Sequence, residues 1–398
     1  MAESLQNTCE LSVVGSMDDI GREEWNACAG IDHPFTRHEF LAALEESGSA
    51  EPETGWGPRH LVLRDHEQRL IGCAPAYLKG HSQGEYIFDH GWANAYERAG
   101  GRYYPKLLIA IPFTPATGPR LLAHPDIADR QEVQSLLAQG ARAVCDRLDL
   151  SGLHINFTDD RETEILRADG MLHRTGEQFH WLNDDYGNFD DFLMALSSRK
   201  RKAIRRERRD ALAAGLTIDI ITGSDLREDH WDAFFHFYMD TGSRKWGTPY
   251  LTREFFSLIS ERMSDQIVLM LSRRPDGHPI AGALNFTSSE TLYGRYWGCT
   301  EHHPFLHFEL CYYQAIEWAI DHGLKRVEAG AQGPHKLARG YLPTHTSSCH
   351  YLPNESFAQA VSDYLEHERR EVDMEIEHLD RFSPFRQAGP YTPDEGAV

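Results

Sequence analysis

The sequence lacks paired cysteines. Its seven cysteines are scattered along 398 residues and never occur as a Cys-x-x-Cys pair. A secreted disulfide framework and a zinc ribbon both need regularly spaced sets of cysteines. We therefore exclude both and expect a protein of a reducing compartment.

The chain also lacks a net positive charge and long apolar segments. Its formal net charge is −21, and no stretch approaches the roughly 20 apolar residues that a membrane-spanning helix needs. Residues 1–14 show no basic region followed by an apolar core, as a secretory signal would. We expect a cytoplasmic protein that is not coated with nucleic acid, because phosphate binding needs a net basic surface. Peripheral contact with membrane lipid stays open.

The sequence has no phosphate-binding loop and no complete set of metal ligands at the usual spacing. No Gly-x-x-x-x-Gly-Lys-Ser/Thr phosphate loop occurs. His302, His303, His307 and Glu309 match no closed zinc-ligand spacing, and among 22 histidines such a cluster is expected by chance. We predict no phosphate-loop kinase, no metal site and no tightly bound cofactor.

The predicted secondary-structure elements repeat in the two halves of the chain. Each half has a helix, a strand, a turn and a second strand in that order. Thr36 begins the helix in the first half and Thr252 begins it in the second, each as a good N-cap. The strands that follow are predicted at 59–64 and 69–78, and at 266–272 and 279–287. Each half then continues with a strand, a helix and a strand, at 106–112, 130–148 and 152–157, and at 291–299, 308–322 and 325–329.

This plan is typical of an α/β (α+β) fold with mixed sheets and differs from a doubly wound nucleotide-binding fold. We predict two domains, residues 1–184 and residues 185–380, because residues 184–188 form a polar, turn-forming run. Within the second domain, residues 357–379 are predicted to form an acidic helix. Residues 381–398, which contain three prolines, are predicted to be a flexible tail.

The second domain begins with an unusually basic segment, predicted as a helix over 197–214. Arg201, Lys202 and Arg205 are its candidate phosphate ligands. Such a helix can bind a nucleotide-bearing substrate, RNA or a phospholipid surface. Alternatively, it is only solvated or docks on the acidic remainder of the same chain.

Residues 330–341, with the sequence GAQGPHKLARGY, follow a predicted strand. Loops at strand ends are where α/β scaffolds place reactive groups. Lys336 can polarise a carbonyl or hold a phosphate, and His335 can take a proton from an amine. Glu309 and Glu85 are the substitutes for this proton acceptor, although a tight glycine turn with solvated charges is also possible.

The first half interleaves polar groups with aromatic residues at 81–92, 103–106 and 112–120. This pattern indicates a cleft wall with an aromatic lining, or equally aromatic turns that cap a core. The candidate substrate-binding residues here are His81, Ser82, Tyr86, Tyr104, Lys106 and Arg120.

These segments carry a resemblance to a known family. GAQGPHKLARGY, followed by Pro343, Thr346, Ser348 and His350, together with HSQGEYIFDHGWANAYERAG, YYPKL and PFTPATGPRLL, resembles the Fem-like family of predicted N-acyltransferases. The basic segment SSRKRKAIRRERRDALAAG resembles the helix that opens the second half of Fem-type ligases. The resemblance covers about residues 10–380.

The resemblance implies two tandem GNAT-like domains that face a shared cleft. It implies transfer of an acyl or aminoacyl group from aminoacyl-tRNA or an acyl thioester, such as acyl-CoA or acyl-ACP, to an amine. By analogy with a GNAT strand bulge, backbone amides near Tyr296 and Trp297 would bind the oxyanion. The remaining expected substrate-binding residues are Arg295, Arg339 and Tyr341.

The resemblance leaves the donor unresolved. The pyrophosphate loop of GNAT enzymes should precede the helix at 308–322, but residues 301–307 contain no glycine. A long coiled-coil arm, which tRNA-using relatives often carry, is also missing between the halves. The acceptor can be a cell-wall peptide, an amino acid or a lipid amine such as a sphingoid base. A non-catalytic protein that recognises a cell-wall precursor is the alternative of another class.

Overall fold

The computed structural model describes residues 9–245, 249–330 and 333–386. The first half of the chain forms β1 (Glu10–Val14), α1 (Arg22–Ala29), α2 (His38–Glu46), β2 (Trp56–Pro58), β3 (His60–Arg64), β4 (Leu70–Ala74), β5 (Ala76–Lys79), α3 (His90–Arg98), β6 (Lys106–Ile109), β7 (Leu122–Ala123), α4 (Arg130–Arg147), β8 (Leu153–Thr158), α5 (Asp160–Ala168) and β9 (Leu172–Leu182).

The second half forms α6 (Phe189–Ala195), α7 (Ser198–Ala211), β10 (Thr217–Thr222), α8 (Glu228–Lys245), α9 (Arg253–Met263), β11 (Ile267–Arg273), β12 (Pro279–Thr287), β13 (Thr291–Cys299), α10 (Leu306–Phe308), α11 (Gln314–Asp321), β14 (Arg326–Glu328), β15 (Leu342–Tyr351) and α12 (Glu355–Asp380). A π-helical turn, Glu309–Tyr313, joins α10 to α11. A 3₁₀ turn, Pro334–Arg339, lies between β14 and β15.

An eleven-stranded mixed sheet joins the two halves, in the order β10-β11-β12-β13-β14-β9-β15-β8-β6-β5-β2. The last strand of the first half, β9, lies between β14 and β15 of the second half, and β15 continues the sheet to β8. A second sheet, β1-β3-β4-β7, belongs to the first half.

Aromatic packing also connects the halves on one side of the sheet. The ring of Phe40 on α2 lies 5.7 Å from that of Phe255 on α9 and 5.6 Å from that of Phe286 on β12. At the rim, Arg262 of α9 forms an ion pair with Glu46 of α2 at 2.5 Å. Burial of such large rings is the main favourable term in joining the two halves.

The repeated order of elements predicted from the sequence is present in both halves. The strand predicted at 69–78 is divided, because Pro75 has no N–H to donate and separates β4 from β5. The basic helix is shorter than predicted, Ser198–Ala211. The strands β9 and β15 were not predicted.

The predicted tail differs from the structure over its first residues. Phe385 pairs with Leu196 in an isolated β-bridge, and the Ser197 amide donates to the Pro384 carbonyl at 2.9 Å. The chain is therefore ordered there, while residues 387–398 lie outside the described part. Among the described residues, no helix is both long enough and apolar enough to cross a membrane.

Candidate functional site

The second half contains a pair of parallel strands that separate. β13 and β14 are paired only from Thr291–Arg326 through Leu292–Val327 to Tyr293–Glu328. Beyond this point the facing edges of the two strands have lost their pairing, so their backbone groups need another partner. An opening of this kind can hold an extended ligand between the strands.

A β-bulge lies at the same opening. Leu284 of β12 faces Tyr296, but Asn285 faces Gly294, so Arg295 is the extra residue on β13. Bulges re-aim a side chain and often occur beside functional sites. The Arg295 guanidinium donates through Nη2 to the Phe113 carbonyl, and its buried Nε has no hydrogen-bond partner in the described part of the chain.

The opening contains a cavity of about 240 Å³. Its walls come from β12, β13, the end of β14, the π-helical turn and the 3₁₀ turn: Ala283, Leu284, Asn285, Gly294, Arg295, Tyr296, Trp297, His307, Cys311, Tyr312, Ala329 and His335. A neighbouring cavity of about 470 Å³ shares Trp297 and His307 and is lined further by Phe305, Leu306 and Phe308. We call these the donor cavity and the side cavity.

Lys336 is buried, and it is not among the residues that line the donor cavity. Its ammonium donates to the Gly330 carbonyl at 2.7 Å, directly after the lining residue Ala329. Burial lowers the pKa of Lys336 to about 8, against the opposing influence of Cys311. A lysine in this state can either donate or accept a proton near neutral pH.

His335 lines the donor cavity and is exposed. Its Nε2 forms a hydrogen bond of 2.9 Å with the Tyr312 hydroxyl. Arg339 does not line the cavity: it donates to the His335 carbonyl at 2.8 Å, pairs with Glu207 at 2.9 Å and stacks on Phe308. Arg339 therefore holds the 3₁₀ turn against α7.

Glu328 was missed by the sequence analysis. It occupies the last paired position of β14, opposite Tyr293 of β13 and His180 of β9. Neither carboxylate oxygen has a hydrogen-bond partner among the described residues, and the nearest ion-pair contact is Arg326 Nε at 3.6 Å. Burial raises the pKa of Glu328 to about 7, opposed mainly by the charges of Arg326 and Arg295. A buried carboxylate at an opening, with only this long ion-pair contact, marks a candidate functional group.

The donor cavity reaches the first half through aromatic residues. The Tyr296 hydroxyl donates to the Phe113 carbonyl at 3.3 Å, and the Phe113 ring stacks on Tyr250 with centroids 4.7 Å apart. Tyr86 lies near Tyr296 and Arg295, whose charges affect its pKa, although burial is the main cause that raises it. Arg295, Tyr296 and Trp297 of the predicted set therefore line one opening, whereas Tyr86 lines a separate cavity.

Four other predicted site residues, Ser82, Glu85, Tyr104 and Lys106, belong to a separate cluster of ion pairs and hydrogen bonds in the first half. The Lys106 ammonium donates to Ser82 Oγ at 2.9 Å, to Glu85 at 2.8 Å and to Asp89. Ser82 also bonds the Tyr104 hydroxyl at 2.8 Å. Burial raises the pKa of Glu85 to about 7, whereas Lys106 lowers that of Asp89 despite burial. None of these residues lines the donor cavity, so the structure does not bring Glu85 to the opening.

Glu309 is also away from the opening. Its carboxylate binds the Arg208 guanidinium at 3.0 Å and the Gln314 amide at 2.8 Å. This ion pair attaches α7 to the π-helical turn, so the predicted role as proton acceptor has no support from its surroundings. Arg208 shows that part of the basic helix docks on acidic groups of the same chain.

The remaining predicted residues have structural partners or face solvent. His81 bonds the Thr54 carbonyl at 3.1 Å, Arg120 is fully buried among backbone carbonyls, and Tyr341 is in the core. On α7, Arg205 pairs with Asp190 at 2.9 Å, Arg201 contacts the Met194 sulfur at 3.4 Å, and Lys202 is exposed. Their predicted phosphate contacts stay predictions.

A family model described as FemAB_like, peptidoglycan biosynthesis/recognition, matches residues 16–387. No sequence among the curated proteins matches the chain.

Solved structures share the fold at low identity. FemX is 14% identical, with coverage of 86% of this chain and 98% of FemX and a TM-score of 0.53. L-PGS from Bacillus licheniformis is 9% identical, with coverage of 82% and 96% and a TM-score of 0.50. The C-terminal domain of a putative lysylphosphatidylglycerol synthetase from Agrobacterium fabrum is 10% identical, with coverage of 86% and 96% and a TM-score of 0.50. The predicted mixed α/β, GNAT-like class is confirmed, while the domain boundary at residue 184 stays a prediction.

Proposed function

Because the chain belongs to the FemAB-like family of peptidoglycan biosynthesis/recognition proteins, we propose that it is an N-acyltransferase. It transfers an acyl or aminoacyl group from an activated donor to an amine by direct attack in a ternary complex. The observation that carries this proposal is the opening between β13 and β14: Arg295 lines its cavity, Glu328 ends the strand pairing, and Lys336 donates to the Gly330 carbonyl just beyond β14. Acyl transfer needs cationic donors for the oxyanion and a base for the amine.

The donor carbonyl lies in the donor cavity, near the bulge at Arg295. Negative charge develops on the carbonyl oxygen during attack, and backbone amides of the bulge together with Arg295 stabilise it. The Lys336 ammonium lies beside Gly330 and supports the leaving group. Preorganised donors of this kind stabilise a transition state more than a ground state.

Glu328 is the proton acceptor in this proposal, in place of the predicted His335 and its substitutes Glu309 and Glu85. As the new N–C bond forms, the amine proton passes to Glu328 and the C–O bond of an aminoacyl ester or the C–S bond of a thioester breaks. Lys336 protonates the departing oxygen or sulfur. A carboxylate with a pKa of about 7 and an ammonium with a pKa of about 8 are suited to these transfers near neutral pH.

The side cavity favours one donor class, long-chain acyl thioesters. It is about twice as large as the donor cavity, and Trp297, Phe305, Leu306 and Phe308 give it a mainly apolar wall. An acyl chain would gain burial along this apolar wall, while Glu301, His302 and His303 form a polar side of the cavity. This observation supports acylation of a lipid amine, such as a sphingoid base, by acyl-CoA or acyl-ACP. Aminoacyl-tRNA is the alternative donor. The name of one fold relative, a putative lysylphosphatidylglycerol synthetase, describes synthesis of an aminoacyl lipid.

The test supplies purified protein with palmitoyl-CoA or with lysyl- and alanyl-tRNA, each with sphinganine, free amino acids or a muramyl pentapeptide as acceptor. Mass spectrometry of the products should show one new amide. In Lys336→Met the kcat/KM should fall by about 10²–10⁴, as for loss of a general acid. Lys325→Met is the matched control, because Lys325 is exposed and pairs only with Glu290 among the described residues.

Two results would contradict the proposal. One is binding of a donor and an acceptor with no amide formed under any pairing, which would favour the recognition protein. The other is a Lys336→Met variant that turns over like the parent protein.

A further inference from the structure

A chain of hydrogen-bonded side chains connects β15 of the second half to β8 of the first half, outside the donor cavity. The Ser348 hydroxyl is 2.9 Å from His350 Nε2, and His350 Nδ1 is 2.7 Å from His154 Nδ1. Ser348 and His350 alternate along β15 on one face of the sheet, and His154 of β8 lies directly opposite His350. All three side chains are buried.

The protonation of this chain follows from its contacts. Burial lowers the pKa of His154 to about 3 and that of His350 well below its ordinary value, so both imidazoles are neutral. One hydrogen therefore lies between the two Nδ1 atoms. His154 Nε2 and Asp89 Oδ1 are both buried without a partner among the described residues, and Asp89 attracts positive charge at His154. A hydrogen on His154 Nε2 is thus favoured, and His350 Nε2 is left to accept the hydrogen of Ser348.

Ser348 opens onto a cavity. It helps to line a space of about 230 Å³ together with Tyr86, Phe157, Gln178 and Thr346. Asn156 faces Ser348 across the strands, and both polar atoms of its amide are buried without a partner among the described residues. A buried amide with neither group satisfied needs a ligand or water.

We propose that Ser348, His350 and Asn156 form a second reactive centre that accepts an acyl group from activated esters or thioesters. Ser348 is the nucleophile, His350 the base and Asn156 Nδ2 the donor to the oxyanion, while His154 is a positioning residue that fixes the tautomer of His350. This arrangement of nucleophile, base and orienting group is that of serine acyl transfer.

The step balances within the site. Ser348 Oγ forms a bond to the carbonyl carbon as its hydrogen passes to His350 Nε2. The bond to the leaving alkoxide or thiolate breaks, and His350 returns the proton to release an alcohol or thiol. Water then attacks the acyl-serine, gives its proton to His350 and releases the acid with Ser348 regenerated. The centre is independent of the proposed amide-forming reaction in the donor cavity.

The experiment treats the full chain with a fluorophosphonate probe and maps the labelled peptide by mass spectrometry. We expect labelling at Ser348, an absence of labelling in Ser348→Ala, and a rate about 10²–10⁴ lower in His350→Gln, as for loss of a general base. His154→Gln keeps an acceptor for His350 Nδ1 and should retain more reactivity than His154→Leu. Hydrolysis of p-nitrophenyl butyrate should follow the same order.

Two other serines serve as internal controls. Ser347 is 3.1 Å from His173 Nε2 but lies outside the cavity, so Ser347→Ala should label like the parent. Ser82 stands in a Gly-His-Ser-Gln-Gly sequence that has the pattern of a nucleophile elbow, yet it contacts Lys106, whose charge is held by Glu85 and Asp89. Labelling at Ser347 or Ser82, or no labelling of the folded parent protein, would overturn the proposal. Mapping on the parent protein keeps the test valid where a variant fails to fold.

Discussion

In both halves a pair of parallel strands separates after three residue pairs, β6 from β8 and β13 from β14. In the first half, the chain itself fills the gap. The Gly118 amide donates to the Phe157 carbonyl at 3.1 Å, and Arg120 Nε donates to the Asn156 carbonyl at 3.0 Å. In the second half, the gap is the donor cavity, and among the described residues the Lys336 ammonium donates only to the Gly330 carbonyl.

The difference shows how one topological feature serves two purposes. Arg120 also binds the carbonyls of Pro119 and Ala116, so its donors are used by the fold. Glu328 and the Nε of Arg295 have no such partner among the described residues. Buried polar groups left unsatisfied lower stability and persist where they have a function. The comparison therefore supports the proposed amide-forming chemistry at the second gap and a structural role for Arg120 in the first.

The largest effect on stability is expected when the Arg120 guanidinium is removed from the first gap. Arg120→Met leaves three buried carbonyls without a donor, each worth about 1–3 kcal/mol, so the free energy of unfolding should fall by about 3–5 kcal/mol. Urea denaturation measures this change. Lys336→Met is the counterpart in the second gap and should cost about 1 kcal/mol or less. Equal losses in the two variants would remove the distinction between the gaps.

A smaller and pH-dependent effect is expected from Glu328. Burial raises the pKa of Glu328 from 4.5 to about 7, so its contribution to stability is complete below pH 4.5 and is lost as the pH rises through about 7. The lost contribution is on the order of 3 kcal/mol, at about 1.4 kcal/mol per pKa unit. Glu328→Gln should remove it, so the stability difference between variant and parent should grow in favour of the variant from pH 5 to pH 8. Thermal unfolding across this range measures it.

The same variant tests the role in catalysis. The rate of the parent should fall below about pH 7 as Glu328 becomes protonated, and Glu328→Gln should lose both rate and this acidic limb. Glu85→Gln is the control, because burial also raises its pKa to about 7 but Lys106 holds it outside the donor cavity. An acidic limb that disappears in Glu85→Gln instead would transfer the role to the first half.

Much of the fold could be predicted from the sequence. The bounds predicted for β12 and β13 match those observed, because both strands are rich in apolar and aromatic residues and are separated by polar turns. The strands β9 and β15 were missed because their sequences, LHRTGEQFHWL and LPTHTSSCHY, lack apolar alternation. Both strands are held by pairing with distant segments, and local pattern does not report such pairing.

The site was predicted less completely. Lys336 and His335 could be singled out as candidates, because the loop after a strand concentrates glycine with basic groups, and their roles stay predictions. Glu328 could not be recognised in this way. Its burial and raised pKa arise only because it lies where β13 and β14 separate, which the sequence does not show. Glu309 also shows the limit of local pattern, because its side chain is buried by a pairing with Arg208, 101 positions away in sequence.

The most direct test of the central claim is donor protection of Cys311, which lines the donor cavity. The full chain is treated with iodoacetamide with and without the donor that supports turnover, and alkylation of each cysteine is followed by mass spectrometry. The account predicts that saturating donor slows alkylation of Cys311 at least tenfold while Cys9, a half-buried cysteine of the first half, reacts at an unchanged rate. Alkylation of Cys311 at the same rate in the presence of a donor that the protein turns over would contradict it.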